Sequence, residues 1–263
     1  MPLVAARMDT LARYCRAFTP TSLVRYAKWR SATANARQPI QVQLRSGLCI
    51  ELRPDSSDVW IASELFIRGQ YDPPVAVRFG DIRTVVDVGA NVGYASLLFL
   101  SQFPEATVTA FEPLPAHVEQ IRKHARLNGF EERLTLVPAA ASTADGEMSF
   151  RSAGAASSLA AAADDGPSGD TVTVPVVDWY AHLPPGPIDL LKMDIEGGEF
   201  ALMNDARFDD VARRTRVLVL EWHKTDDYPE AREWCAGRLE QTGFRVFEGD
   251  IDYGHAGLLW AAR

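Results

Sequence analysis

This sequence of 263 residues has few cysteines, no long apolar run and, over most of its length, a deficit of positive charge. Its three cysteines, Cys15, Cys49 and Cys235, lie far apart and in no C-x-x-C pair, which argues against a disulfide framework or a cysteine zinc site and reads as buried free thiols. No stretch approaches the ~18 consecutive apolar residues of a membrane-spanning helix. The first residues lack the compact charged-then-apolar layout of a secretory signal, so a cytoplasmic location is expected. The net charge of −8 is unevenly spread. Residues 1–38 hold seven basic side chains (Arg7, Arg13, Arg16, Arg25, Lys28, Arg30, Arg37) against Asp9, a balance of +6 that leaves −14 for the rest. An acidic body cannot neutralise phosphates, which argues against nucleic acid as a partner. What the chain does have, 47% hydrophobic and 24% charged residues, is the profile of a globular protein with a sizeable core.

The order of patterns along the chain gives the fold class. Leu11, Cys15 and Phe18 share helical spacing, and Thr19-Pro20-Thr21 reads as a break and restart with Thr21 as the cap. This basic helical segment, 1–38, offers Leu11, Phe18, Tyr26 and Trp29 as an apolar face for packing on the body or on a second copy in a homodimer. Residues 40–53 alternate around Ser46-Gly47 as a β-hairpin does, inside a lead-in spanning 39–80. From Thr84 short apolar runs alternate with helical segments, the signature of β-α-β units and a parallel α/β sheet. Strands are expected at 84–89, 106–112, 133–139, 187–194 and 215–223, followed by FRVFEG and AGLLWAA, seven in all. Helices are expected at 92–103, 115–128, from Gly198 and at 229–241. Residues 152–170 have almost no large apolar side chains and read as a surface connection, with a lid over the site as the sharper alternative.

The most informative segment is Asp87-Val88-Gly89-Ala90-Asn91-Val92-Gly93, where a strand turns into a helix. Glycines there let the backbone approach a ligand, and the helix start presents unpaired N–H groups. A dinucleotide site wants G-x-G-x-x-G, but Asn91 takes the middle glycine position, which weighs against a nicotinamide oxidoreductase. Asp87 beside the turn suits a cationic amino-acid ligand better than a diphosphate. Glu112 ends the next strand, where a carboxylate accepts hydrogen bonds from ribose hydroxyls. The pair implies a nucleoside with a cationic tail, as in S-adenosylmethionine.

Four segments, VVDVGANVGYASLLFL, AFEPLPAHVEQIRKHARLNG, LLKMDIEGGEFALM and VLVLEWH, in this order, resemble the FkbM family of S-adenosylmethionine-dependent methyltransferases over about residues 60–250. The resemblance implies a class I methyltransferase fold, Rossmann-like and seven-stranded, over 81–263. It implies Asp87, Gly89, Ala90, Asn91 and Gly93 around the methionine part and Glu112 with Pro113 at the ribose. Glu64-Leu65-Phe66 and Gly69-Gln70-Tyr71 resemble the family's lead-in, so Glu64 and Tyr71 are expected to close over the methionine end. The chain departs at the adenine: Ala139-Ala140-Ala141-Ser142 stands where many class I enzymes place an acidic residue, leaving backbone groups at Ala140 or the Ser142 hydroxyl for that task.

A second constellation, Asp194, Glu196 and Glu199 with Glu221 and His223, ends two adjacent strands, beyond which ligands bind in open parallel sheets. Methyl transfer is an in-line displacement at an already activated carbon, so the protein orients the acceptor and removes its proton. His223 is the leading base, because imidazole titrates near neutral pH. Asp194 and Glu221 are the other candidate catalytic residues, Asp194 also as a cofactor contact, and Glu196 is a candidate cap for the helix at Gly198. The same donors could hold Mg²⁺ or Mn²⁺, although no spacing requires it. His117, His124, His182 and His255 read as surface or packing residues, and Trp222 as the tryptophan beside the crevice. The function expected is O-methylation of a hydroxyl or carboxylate of a small molecule, a sugar or secondary metabolite. A cofactor-binding protein without turnover and an N-methyltransferase are the alternatives.

Overall fold

The computed structural model describes residues 15–33, 37–151 and 171–263. Of the helix expected through Leu11, Cys15 and Phe18, the part before Cys15 lies outside the described residues, as does the 152–170 segment. Helix α1 (Pro20–Ser31) starts after Thr19, not Thr21: the Thr19 hydroxyl accepts from the Ser22 N–H, and Pro20 fills the first turn, where no N–H is needed. The helix lies on the hairpin β1 (Ile40–Gln43) and β2 (Cys49–Leu52). Gln43 N donates to Ser22 Oγ at 2.7 Å, Trp29 Nε1 donates to the Gln38 carbonyl at 2.7 Å, and Phe18 bridges to Leu44. Phe18 and Trp29 are thus buried within the chain. The cysteines divide: Cys235 is buried as expected, but Cys49 is half-buried and Cys15 exposed.

After α2 (Asp58–Ser63) and a wide turn at Glu64–Arg68, the main sheet begins. Its strands are β3 (Thr84–Val88), β4 (Thr107–Phe111) and β5 (Leu134–Val137), then β9 (Ile188–Met193), β10 (Thr215–His223), β11 (Arg245–Asp252) and β12 (Ala256–Ala262). Seven strands stand in the order β11-β12-β10-β9-β3-β4-β5, parallel except for β12, which is antiparallel to both neighbours. The central strands are near-continuous apolar runs because both faces are covered. Helix α3 (Tyr94–Gln102) is apolar on nearly every side and accordingly buried, with α4 (Pro115–Asn128) beside it. The hairpin packs into the same core, Ile50 and Leu52 joining Val85, Leu97 and Leu190.

Two features differ from expectation. The connection from β9 to β10 is two short helices, α5 (Glu199–Asn204) and α6 (Phe208–Arg214), because Asp205 is extended and its carboxylate accepts from Arg207 N. A second sheet, β6 (Ala140–Ser142), β7 (Gly146–Arg151) and β8 (Thr171–Asp178) in the order β6-β8-β7, is formed by strands that come between β5 and β9 in the chain. Helix α7 (Ala231–Gln241) buries Cys235 and Leu239 on the other face. Among the described residues no helix is long and apolar enough to cross a membrane.

Candidate active site

The strand order reverses between β3 and β9, and a cleft of about 230 Å³ opens beyond their carboxyl ends. Its floor is the turn after β3. Gly89 has φ +83°, and a side-chain carbon there would sit 1.8 Å from the Asp194 carbonyl oxygen, so only glycine fits. Asn91 is also left-handed, at φ +52°. Glu112, at the end of β4, holds this turn: Oε2 accepts from Asn91 N at 2.8 Å, and Oε1 from Leu114 N at 3.0 Å and His117 Nδ1 at 3.3 Å. The Asn91 side-chain oxygen is buried and has no protein partner.

The cleft brings together Glu64, Tyr71, Gly89, Ala90, Asn91, Asp194, Glu196 and Glu221 among the expected residues. Asp87, Gly93, Glu112, Pro113, Ala140 and His223 are not among those lining it. For Asp87 the reason is electrostatic as well as steric. Its carboxylate is wholly buried, accepts from Ser96 Oγ at 2.6 Å and lies 3.2 Å from Lys192 Nζ, so it faces the sheet interior rather than a cationic ligand. Gly93 instead starts α3 in a left-handed conformation, packed on Ile121. Trp222 is buried in the core against Gly257, not beside the crevice.

His223 stands one layer behind the carboxylates. Its backbone N–H donates to Glu199 Oε1 at 3.0 Å and Nδ1 lies 3.3 Å from the same oxygen. Nε2 faces Glu196 Oε2 at 3.6 Å and both Asp194 Oδ1 and Glu221 Oε1 at 4.0 Å. Burial alone would lower its pKa, but the Glu199 hydrogen bond and the charges of Asp194, Glu199 and Glu196 raise it to about 9. The imidazole is therefore protonated at neutral pH, contrary to the expectation of a group that titrates near 7. Glu221 moves as well: burial first, then Asp194, push it up to about 8. Gln70 Nε2 donates to Glu221 Oε2 at 3.3 Å. Glu196 is left-handed at φ +53° and its Oε2 lies near His223, while Glu199 Oε2 accepts from the N–H of Gly197, in the turn before α5, at 2.9 Å. No side chain caps α5 through a hydrogen bond, so the cap expected of Glu196 is not formed.

Three residues enter the site unannounced by sequence. Lys192, 2% exposed, lines the cleft from below. His117, in the first turn of α4, lines it beside Glu112, which ends the preceding strand. Trp60 is 54% exposed at the mouth, its ring 6.3 Å from that of Tyr253, whose hydroxyl hydrogen-bonds to the Glu64 carboxylate. The other tryptophans in described positions are mostly core, and no sequence signal separated Trp60 from them.

A parallel sheet with one reversed strand, a glycine turn on its central strand and a carboxylate on the next define a class I methyltransferase fold. The residues fit the cofactor of that class: the buried Asn91 side-chain oxygen in the cleft lining has no protein partner, and carboxylates rather than basic groups dominate the walls, as a sulfonium with an ammonium tail requires. A family model, the methyltransferase FkbM domain, matches residues 87–246, and the chain belongs to this family of S-adenosylmethionine-dependent methyltransferases. It is 33% identical over 69 residues to Methyltransferase 1 of Beauveria bassiana (strain ARSEF 2860), 26% of each chain. A solved FkbM methyltransferase of Methylobacillus flagellatus KT superposes with a TM-score of 0.52 at 15% identity, over 73% of this chain and 46% of that one. An O-methyltransferase family protein from Burkholderia thailandensis reaches a TM-score of 0.44 at 16% identity, over 76% and 56%. This chain therefore spans about a quarter of the curated relative and under half of the first solved one.

Proposed function

We infer that this chain transfers the methyl group of S-adenosylmethionine to a hydroxyl oxygen of a small, ring-bearing molecule such as a sugar or secondary metabolite. The observation that carries this reading is the meeting, in one cleft, of the Gly89–Asn91 turn with Asp194 and Glu221, backed by His223. The cofactor supplies an activated methyl carbon when bound. Gly89, Ala90, Asn91, Glu64 and Tyr71 surround its methionine end in this reading, Glu112, Pro113 and Ala140 its nucleoside end. Asp194 and Glu221 orient the acceptor hydroxyl, and the Glu221–His223 pair, titrating at about 8 and 9, takes its proton. Trp60 and Tyr253 at the mouth offer a ring face to a ring-bearing acceptor. The test is incubation with S-adenosylmethionine and a panel of sugars and cell extract. Release of S-adenosylhomocysteine with a product heavier by one methylene and methylated at oxygen supports the reading. Cofactor binding without release, or methylation at nitrogen, selects one of the alternatives.

A second reading rests on one observation: ligand atoms of Asp194, Glu196 and His223 all lie within 4.8 Å of one another. A divalent cation held there would polarise the acceptor hydroxyl in place of a base. Turnover lost in chelator and restored by Mg²⁺ or Mn²⁺ selects it; turnover indifferent to chelator removes it.

A further inference from the structure

A lysine in the middle of a parallel sheet is chemically expensive, since packing there needs only an apolar side chain and burying a charge costs several kcal/mol before pairing. Lys192 occupies such a position in β9, in register with Asp87 on one side and Val219 on the other. Its ammonium has three N–H groups. One donates to the Gly89 carbonyl at 2.6 Å, a carbonyl of the glycine turn itself. Asp87 Oδ1 lies at 3.2 Å and Asp194 Oδ2 at 3.4 Å. The Val88 carbonyl, also at 3.4 Å, adds a weaker contact. The two backbones so joined already touch: Asp194 N donates to Val88 O at 3.0 Å, and Gly89 has no room for a Cβ against the Asp194 carbonyl. Burial would strip the proton from Lys192, but Asp87 and Asp194 hold it on.

We propose that Lys192 is a positioning residue of the methyltransferase site: its ammonium ties the carbonyl of the glycine turn to the carboxylate of Asp194, setting the cofactor-facing turn and the acceptor-facing carboxylate in one fixed relation. Asp87 is then the counter-ion that keeps the lysine charged, which accounts for its burial away from the cleft. A neutral, unbranched side chain of similar length, methionine, fills most of the space but leaves Gly89 O without its donor and Asp194 without its anchor.

The proposal rests on the reading of the cleft as the cofactor site, and the experiment separates the two. S-adenosylhomocysteine is titrated by calorimetry into the wild-type chain and the K192M, D87N and D87N/K192M variants, with thermal melting alongside. K192M leaves Asp87 buried and uncompensated, so its melting temperature falls sharply. The double variant removes both charges and recovers most of that loss. The expected result is that the double variant, although stable, binds S-adenosylhomocysteine at least tenfold more weakly than D87N alone. Equal affinity of D87N and D87N/K192M overturns the positioning role and leaves Lys192 a structural ion-pair partner. Failure of the double variant to fold also overturns it, since the lysine would then serve the sheet itself. No binding by the wild-type chain overturns the cofactor reading and the proposal together.

Discussion

Replacing Gly89 by alanine isolates what the close approach of two loops is worth. Gly89 has φ +83°, where alanine is strained by about 1–2 kcal/mol. The new Cβ would lie 1.8 Å from the Asp194 carbonyl oxygen and 2.9 Å from its carbon, so one backbone must retreat by roughly 1.5 Å to reach contact distance. Asp194 cannot swing away freely, because its N–H is bound to Val88 O and its carboxylate lies 3.4 Å from Lys192. Overpacking of this kind costs about 1–3 kcal/mol, giving about 2–5 kcal/mol in total. At about 2–4 °C per kcal/mol, Gly89→Ala should lower the melting temperature by about 4–20 °C. Gly186→Ala is the control: it has φ +82° but nothing within 4 Å of the added carbon. It should lose only the strain, about 1–2 kcal/mol or roughly 2–8 °C. Differential scanning fluorimetry measures both, and calorimetry with S-adenosylhomocysteine should show the affinity falling at least tenfold in Gly89→Ala alone. If Gly89→Ala melts with Gly186→Ala and keeps its affinity, the turn does not meet Asp194 as described and the reasoning fails.

The remaining expectations concern charge and the cleft mouth. Glu221 has a folded pKa raised to about 8 from 4.5 and His223 one raised to about 9 from 6.5, so both bind protons more tightly folded than unfolded. Their contribution to stability is greatest at low pH and is lost as pH rises, between about 4.5 and 8 for Glu221 and between 6.5 and 9 for His223. Glu221→Gln, which mimics the protonated form, should therefore gain on wild type in urea denaturation as pH rises through this window; a constant difference contradicts it. In the proposed reaction turnover should climb from pH 7 toward 9, and Glu199→Gln, by removing the hydrogen bond and charge that raise His223, should move the climb toward neutral pH. A pH–rate profile unmoved by Glu199→Gln would detach His223 from the chemistry, and His223→Ala should lower turnover with little change in cofactor affinity. Glu112→Ala strips acceptors from the N–H groups of Asn91 and Leu114, costing about 1–3 kcal/mol for each donor left buried, and should weaken S-adenosylhomocysteine binding; undiminished affinity on calorimetry would refute this. Trp60→Ala should raise the acceptor KM by roughly 2–10-fold, the worth of one aromatic contact, while leaving S-adenosylhomocysteine affinity unchanged.

Much of the fold was legible because its signals are local. The strand over Thr84–Val88, the turn at Gly89 and the helix after it follow from an apolar run, a glycine and a helical apolar stretch within twenty residues of one another. The hairpin was legible for the same reason, and so was the cluster of acids after β9. The second sheet was not, although Thr171–Asp178 is rich in β-branched residues, because β6 is only three small residues, Ala140–Ser142, whose pairing with β8 joins positions as far apart as Ala140 and Val176. Nor was the break at Asp205, which depends on a side chain accepting from the backbone two residues on.

By itself the sequence determined the periodicities, and with them the α/β class, the seven strands, the place of the glycine turn and the family to which the chain belongs. Tertiary structure alone decided which charges meet. Asp87 and Lys192 lie 105 positions apart in the chain, and only the parallel register of β3 with β9 makes them a buried pair instead of a ligand-binding carboxylate and a surface lysine. The same holds for His223, an ordinary histidine by composition, whose proton affinity is set by burial and by carboxylates delivered from the end of β9 and the start of a helix. Residue type is a property of one position, whereas burial and electrostatic field come from the neighbours that packing supplies.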